Sequence, residues 1–161
     1  MWKETEMMTR WLFFCLLIIP TAISASGSGQ LHYDSGHMAA MEAGRASIPD
    51  EYRVMDRTPL TPDEESLLRG KELFRANCVV CHGDEGRGDG PAAASLATPP
   101  ANFHDAHHSG FYNPGEKFWI ISHGLDIGMP AFGDTLTPQQ RWDLVNHLLQ
   151  LPQESINELF R

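Results

Sequence analysis

Hydrophobic and polar positions divide the chain into three stretches of different character. Near the start, Trp11 to Ile19 is an unbroken apolar run, with Lys3 and Arg10 ahead of it and Pro20 and the small residues Ala22, Ser24, Ala25 and Ser26 behind. Basic residues, a short apolar core and small residues beyond it are the layout of an export signal. The run falls short of the roughly 18 apolar residues a membrane span needs, so residues 1–25 are expected to be a signal peptide cleaved near Ala25. From Ser26 to about Leu60 no apolar period is sustained, and Gly, Ser, His, Met and Pro are mixed without order. That stretch reads as an arm or linker, residues 26–60, with at most a short helix near Met38 to Arg45.

Beyond Leu60 the pattern becomes helical. Thr61-Pro62-Asp63-Glu64, Asn113-Pro114-Gly115-Glu116 and Thr137-Pro138-Gln139-Gln140 repeat one start signal: a capping side chain, Pro at the first helical position, and Glu or Gln three residues after the cap. Helices are predicted to begin near residues 62, 114 and 138. The first carries Leu67, Gly70, Leu73 and Phe74 on one face; the second carries Phe118, Trp119 and Ile121 and stops at Gly124. The last carries Trp142, Val145, Leu148 and Leu149 and is expected to end at Pro152. Gly70 costs its helix about 1 kcal/mol relative to Ala, which predicts a close crossing by the last helix there, filled by Phe74 and Trp142. No strand-like alternation is present, so an all-α domain is expected over residues 61–151, followed by a tail over 152–161 with Ile156, Leu159 and Phe160 on one possible face.

Composition narrows the function classes. The 161 residues leave room for one domain with extensions, and 14 Gly and 11 Pro favour long loops. The formal charge of -9 is unchanged by removal of residues 1–25, because Lys3 and Arg10 cancel Glu4 and Glu6. Such a field disfavours nucleic acid and steers the protein towards redox partners with a basic docking patch.

The candidate chemistry is concentrated in Cys78-Val79-Val80-Cys81-His82. Two thiols spaced C-x-x-C can add across the two vinyl groups of a haem, and the following residue places an imidazole over the iron. One covalently attached haem c is therefore predicted, held through Cys78, Cys81 and His82. A redox dithiol would need a βαβ setting, and a cysteine zinc site a second thiolate pair. The only other cysteine, Cys15, lies in the apolar run and leaves with it.

An electron-transfer haem needs a second axial ligand. Met129, in Gly128-Met129-Pro130-Ala131-Phe132-Gly133, is the candidate: it is the only methionine of the predicted domain and sits in a turn-rich setting that core packing explains poorly. Histidine and methionine together raise the potential and fill both axial positions, which argues for electron transfer over catalysis. His104, His107, His108 and His123 are rivals for the sixth position, and His147 is expected at the surface of the last helix. His82 should give its second ring N–H to a backbone carbonyl, expected from Pro91 to Pro100. The run Gly83 to Gly90 lacks the ending of a phosphate loop and reads as a turn round the haem edge, where Arg87 or Trp119 could meet a propionate. His32, His37, Met38 and Met41 form a set in the arm that would suit copper.

The motifs resemble those of the class I monohaem c-type cytochromes. Cys78 to Gly83 followed by Gly86, Gly88, Asp89, Gly90 and Pro91 is similar to their attachment segment; Ile121 to Gly124 leading to Gly128-Met129-Pro130-Ala131-Phe132 is similar to their distal loop; Trp142 to Leu148 is similar to their closing helix. The resemblance implies an all-α fold with first and last helices crossed round one haem. It implies an exported, periplasmic electron carrier that is not itself an enzyme. Ile48-Pro49-Asp50-Glu51-Tyr52 and the apolar tail depart from a minimal carrier and suggest the alternative, a fixed haem subunit of a membrane quinol-oxidising or terminal-oxidase complex. A haem enzyme or gas-binding protein with a labile Met129 is a third reading.

Overall fold

A computed structural model describes residues 35–159, with side chains from Met38 to Pro152 apart from residues 106–108. The expected signal peptide 1–25, with Cys15, and the start of the arm, with His32, lie outside the described residues. The regular structure is helical: α1 (Ser35–Ala46), α2 (Asp50–Arg53), α3 (Glu64–Asn77), α4 (Val79–His82), a 3₁₀ turn (Ala93–Ser95), α5 (Ala106–Phe111), α6 (Pro114–His123) and α7 (Pro138–Leu159). Among the described residues there is no strand, only an isolated bridge between Leu125 and Met129.

Two of the expected caps form as read. Asn113 accepts from the amide of Glu116 at 2.8 Å while the Glu116 carboxylate accepts from the amide of Asn113 at 2.8 Å. Thr137 and Gln140 exchange the same pair of bonds at the start of α7. The first helix is corrected by two residues: Asp63, not Thr61, accepts from the amide of Ser66, so Pro62 precedes the cap. A carboxylate at the positive end of a helix is the better cap electrostatically. The end of α7 is corrected too. It passes Pro152 and continues to Leu159, although proline has no amide proton to donate there.

The most extensive helix contact is α3 across α7. A Cβ on Gly70 would lie 2.1 Å from the Asp143 carbonyl oxygen and 2.8 Å from the His147 Cβ, so the crossing is closed by the absence of a side chain. Beside it, Asp143 is fully buried and accepts from Ser66 Oγ at 2.7 Å and from Arg69 Nε at 2.9 Å, which pairs a charge where it leaves water. Phe74, Ile121, Leu136, Trp142, Leu144, Val145, Leu148 and Leu151 make the core. Phe74 packs edge-on to His147 at the crossing, while Trp142 stacks on Phe118 of α6. Leu144 and Ile120 take buried places read for Leu149 and Trp119.

The second half of the expected arm is a packed strap. Met41 and Ile48 are buried, Arg45 holds the buried Glu116 carboxylate at 2.6 and 3.2 Å, and Tyr112 donates to the Met41 carbonyl at 2.8 Å. The amide of Gly115 reaches the Met55 carbonyl at 3.1 Å, where a Cβ would meet Tyr52 O at 2.4 Å. These contacts seat α1 and α2 against the start of α6.

Candidate functional site

Cys78 closes α3, its amide donating to Phe74 O at 2.8 Å, and opens the single turn of α4. Positions three apart on one turn share a face, which brings the Cys78 and Cys81 side chains to the same wall. Gly83 leaves the turn at φ 79°, and the chain then folds back on α4: Gly88 N–H to His82 O at 2.8 Å, Gly90 N–H to Cys81 O at 3.1 Å, Ala92 N–H to Val80 O at 2.9 Å. Gly90 must lack a side chain, since a Cβ there would sit 2.5 Å from Val79 O.

His82 Nδ1 lies 3.1 Å from the Ala101 carbonyl. A carbonyl only accepts, so Nδ1 carries the proton and Nε2 keeps its lone pair. The carbonyl expected from Pro91 to Pro100 is thus supplied by the next residue. Burial lowers the His82 pKa, with the Ala101 bond acting the other way. Phe103 stacks on the imidazole with centroids 4.9 Å apart. Burial, with a smaller push from Cys81, raises the Cys78 thiol to about 12. A reactive dithiol or zinc thiolate needs the opposite shift.

On the other wall, Gly124 ends α6 at φ 74°, and the loop is pinched by Leu125 N–H to Met129 O at 2.9 Å and Met129 N–H to Leu125 O at 3.2 Å. Phe132 N–H then returns to Ile121 O at 2.9 Å. Both walls face one open cleft of about 1170 Å³, mouth included, lined by Cys78, Cys81, His82 and Met129 together with Val80, Leu96, Pro100, Phe103, Ile120, Ile121, Leu125, Ile127, Phe132 and Leu148. All four residues singled out from the sequence therefore share one largely apolar space. Two thiols, an imidazole with a free Nε2 and a thioether gathered on one largely apolar cleft fit a haem c.

Two of the rival histidines have other partners. His104 Nε2 lies 2.6 Å from Glu85 O, and His123, exposed, bonds Trp119 O at 3.0 Å and stacks on that indole. The side chains of His107 and His108 lie outside the described residues. His147, expected at the surface, is 5 % exposed because it packs on Phe74. Burial first, then Lys71 and Arg75, lowers its pKa to about 4. Arg87 pairs with Glu85 at 2.9 Å, and neither it nor Trp119 lines the cleft. Among the wall residues that sequence reasoning did not place at the cleft are Met41, Tyr112 and Lys117. Of the arm's His/Met set, Met41 is committed to that wall, and the His37 side chain lies outside the described residues. Among the described residues no helix is long and apolar enough to cross a membrane.

The family model described as cytochrome c oxidase, cbb3-type, subunit III matches residues 65–148. The chain is similar to the cbb3-type cytochrome c oxidase subunit CcoP of Rubrivivax gelatinosus, at 28 % identity over 140 residues, covering 83 % of this chain and 43 % of the relative. It is similar to subunit FixP of Sinorhizobium medicae, at 30 % over 97 residues, covering 55 % and 31 %. A chain of the Kuenenia stuttgartiensis reducing HAO-like protein complex matches in structure with a TM-score of 0.52 and 33 % identity, over 58 % of this chain and 46 % of that one. The chain spans less than half the length of the curated relatives it matches.

Proposed function

The chain belongs to the cytochrome c oxidase, cbb3-type, subunit III family and is a c-type cytochrome with the all-α class I fold, and from that premise we propose that it serves as the haem-bearing, electron-relaying subunit of a membrane respiratory oxidase, with its cleft on the periplasmic side. The relatives favour this alternative over the free carrier that heads the sequence-based expectations. The observation that carries it is the convergence of Cys78, Cys81, His82 and Met129 on one cleft within the family match.

When bound, a single haem c supplies a one-electron ferric/ferrous couple. Cys78 and Cys81 would tether it through thioethers, and His82 Nε2 and the Met129 sulfur would hold the iron. The Ala101 carbonyl fixes the imidazole plane, while Phe103, Ile121 and Leu148 keep water from the cleft floor. With His82 and Met129 both holding the iron, the subunit would pass electrons and leave oxygen chemistry to another centre. The negative charge suits partners that present basic surfaces.

Purification from native membranes at high salt tests this. The chain is expected to remain with an oxidase; a chain that washes off as a monomer while keeping its colour contradicts the fixed-subunit reading and returns the free carrier to first place.

A further inference from the structure

Lys117 is 7 % exposed and lines the same cleft as Met129. Its Nζ donates to Ser109 O at 2.9 Å and to Tyr112 O. An ammonium has three donors and a full charge, and here only neutral carbonyls answer it. Among the described residues no carboxylate forms an ion pair with Lys117: Glu116, its neighbour in sequence, is held by Arg45 and by the amide of Asn113. Burial pulls the Lys117 pKa down to about 8, with Glu116 acting weakly the other way. A cation kept in a largely apolar wall without an anion is costly until a ligand brings one. The haem of the proposed function brings two carboxylates.

Resting on that functional reading, we propose that the Lys117 ammonium pairs with a propionate of the haem in this cleft, seating it and raising its reduction potential. A positive charge beside the couple favours the state with the extra electron, and the low dielectric of the wall strengthens the effect. The strap supports the arrangement, because the Tyr112 hydroxyl is tied to Met41 O while its carbonyl accepts a hydrogen bond from Lys117 Nζ.

The test compares the haem-loaded wild type with Lys117→Gln and Lys117→Arg, using the midpoint potential and redox-induced infrared difference spectra of chain carrying haem ¹³C-labelled at its propionates. Gln keeps N–H donors for the two carbonyls but removes the charge; Arg keeps both. The Gln variant is expected to shift to lower potential and to move the labelled carboxylate band, with Arg returning both towards wild type. Unchanged potential and band in the Gln variant overturn the pairing alone; a wild-type chain that takes up no haem overturns the functional reading and the pairing with it. Should Gln fail to load haem, normal loading and a near-wild-type potential in Arg support the pairing, and failure of both variants assigns Lys117 a packing role and overturns it.

Discussion

The segment that carries His82 and the one that carries Met129 face the same cleft but are secured differently. Around His82 the backbone folds back on itself through Gly88, Gly90 and Ala92, the ring is pinned by Ala101 O, and Phe74 and Phe103 pack behind it. Around Met129 the loop is pinched by its paired bonds to Leu125, and Ile127, Gly128, Pro130 and Ala131 lie exposed beside it. The imidazole side is a preformed frame and the thioether side a surface loop. Ligand lability should therefore reside with Met129, and the folding energy with the His82 side.

The largest expected effect comes from adding a Cβ to one glycine on each side, tight at Gly90 and open at Gly128. Gly90→Ala would push a Cβ to 2.5 Å from Val79 O and 2.6 Å from Cys81 C, backbone atoms with no room to yield. A loss of about 3 kcal/mol is expected in denaturant unfolding. Gly128→Ala meets nothing within 4 Å and suffers only from φ 112°, a cost of about 1 kcal/mol. Equal losses would break the comparison.

Acid sensitivity should follow the same division. His147, packed on Phe74 behind His82, titrates near 4 when folded, below the 6.5 of an ordinary histidine. Between those values the unfolded chain binds the extra proton, so stability is complete above pH 6.5 and falls as pH drops towards 4, by about 3 kcal/mol at most. His147→Leu is expected to flatten that part of the stability–pH curve, and an unchanged slope would place the acid sensitivity elsewhere.

Smaller effects sharpen the contrast. Phe103→Ala strips the ring stacked on His82, at about 2 kcal/mol for a half-buried aromatic. Met129→Ala is expected to cost about 1 kcal/mol while altering the ferric spectrum far more than Phe103→Ala does. The reverse order in the spectra would mean that Met129 is not at the iron.

Much of this was legible in the sequence because its causes are local. The Cys78 to His82 motif and the caps at Asn113 and Thr137 each depend on a few neighbouring residues, and Gly70 announced a crossing by its cost to its own helix, although the residue that crosses there, Asp143, lies far along the chain. What was missed depends on partners far along the chain. Arg45 meets Glu116 and Tyr112 meets Met41, each across 71 positions, so the strap has no periodicity of its own to announce it. Lys117 and His147 look like surface residues until the Ser109 and Tyr112 carbonyls, or Phe74, are placed beside them. The sequence reading put the cap of α3 at Thr61, and the Ser66 amide bonds Asp63 instead, a choice between two side chains two positions apart that spacing alone does not make.

The central claim is that Cys78 and Cys81 hold a haem in this cleft. The chain, expressed with a working haem-attachment apparatus and digested, should yield a peptide containing both cysteines whose mass is increased by one haem and which absorbs as a haem peptide. The same peptide recovered with two free thiols and no haem would contradict it.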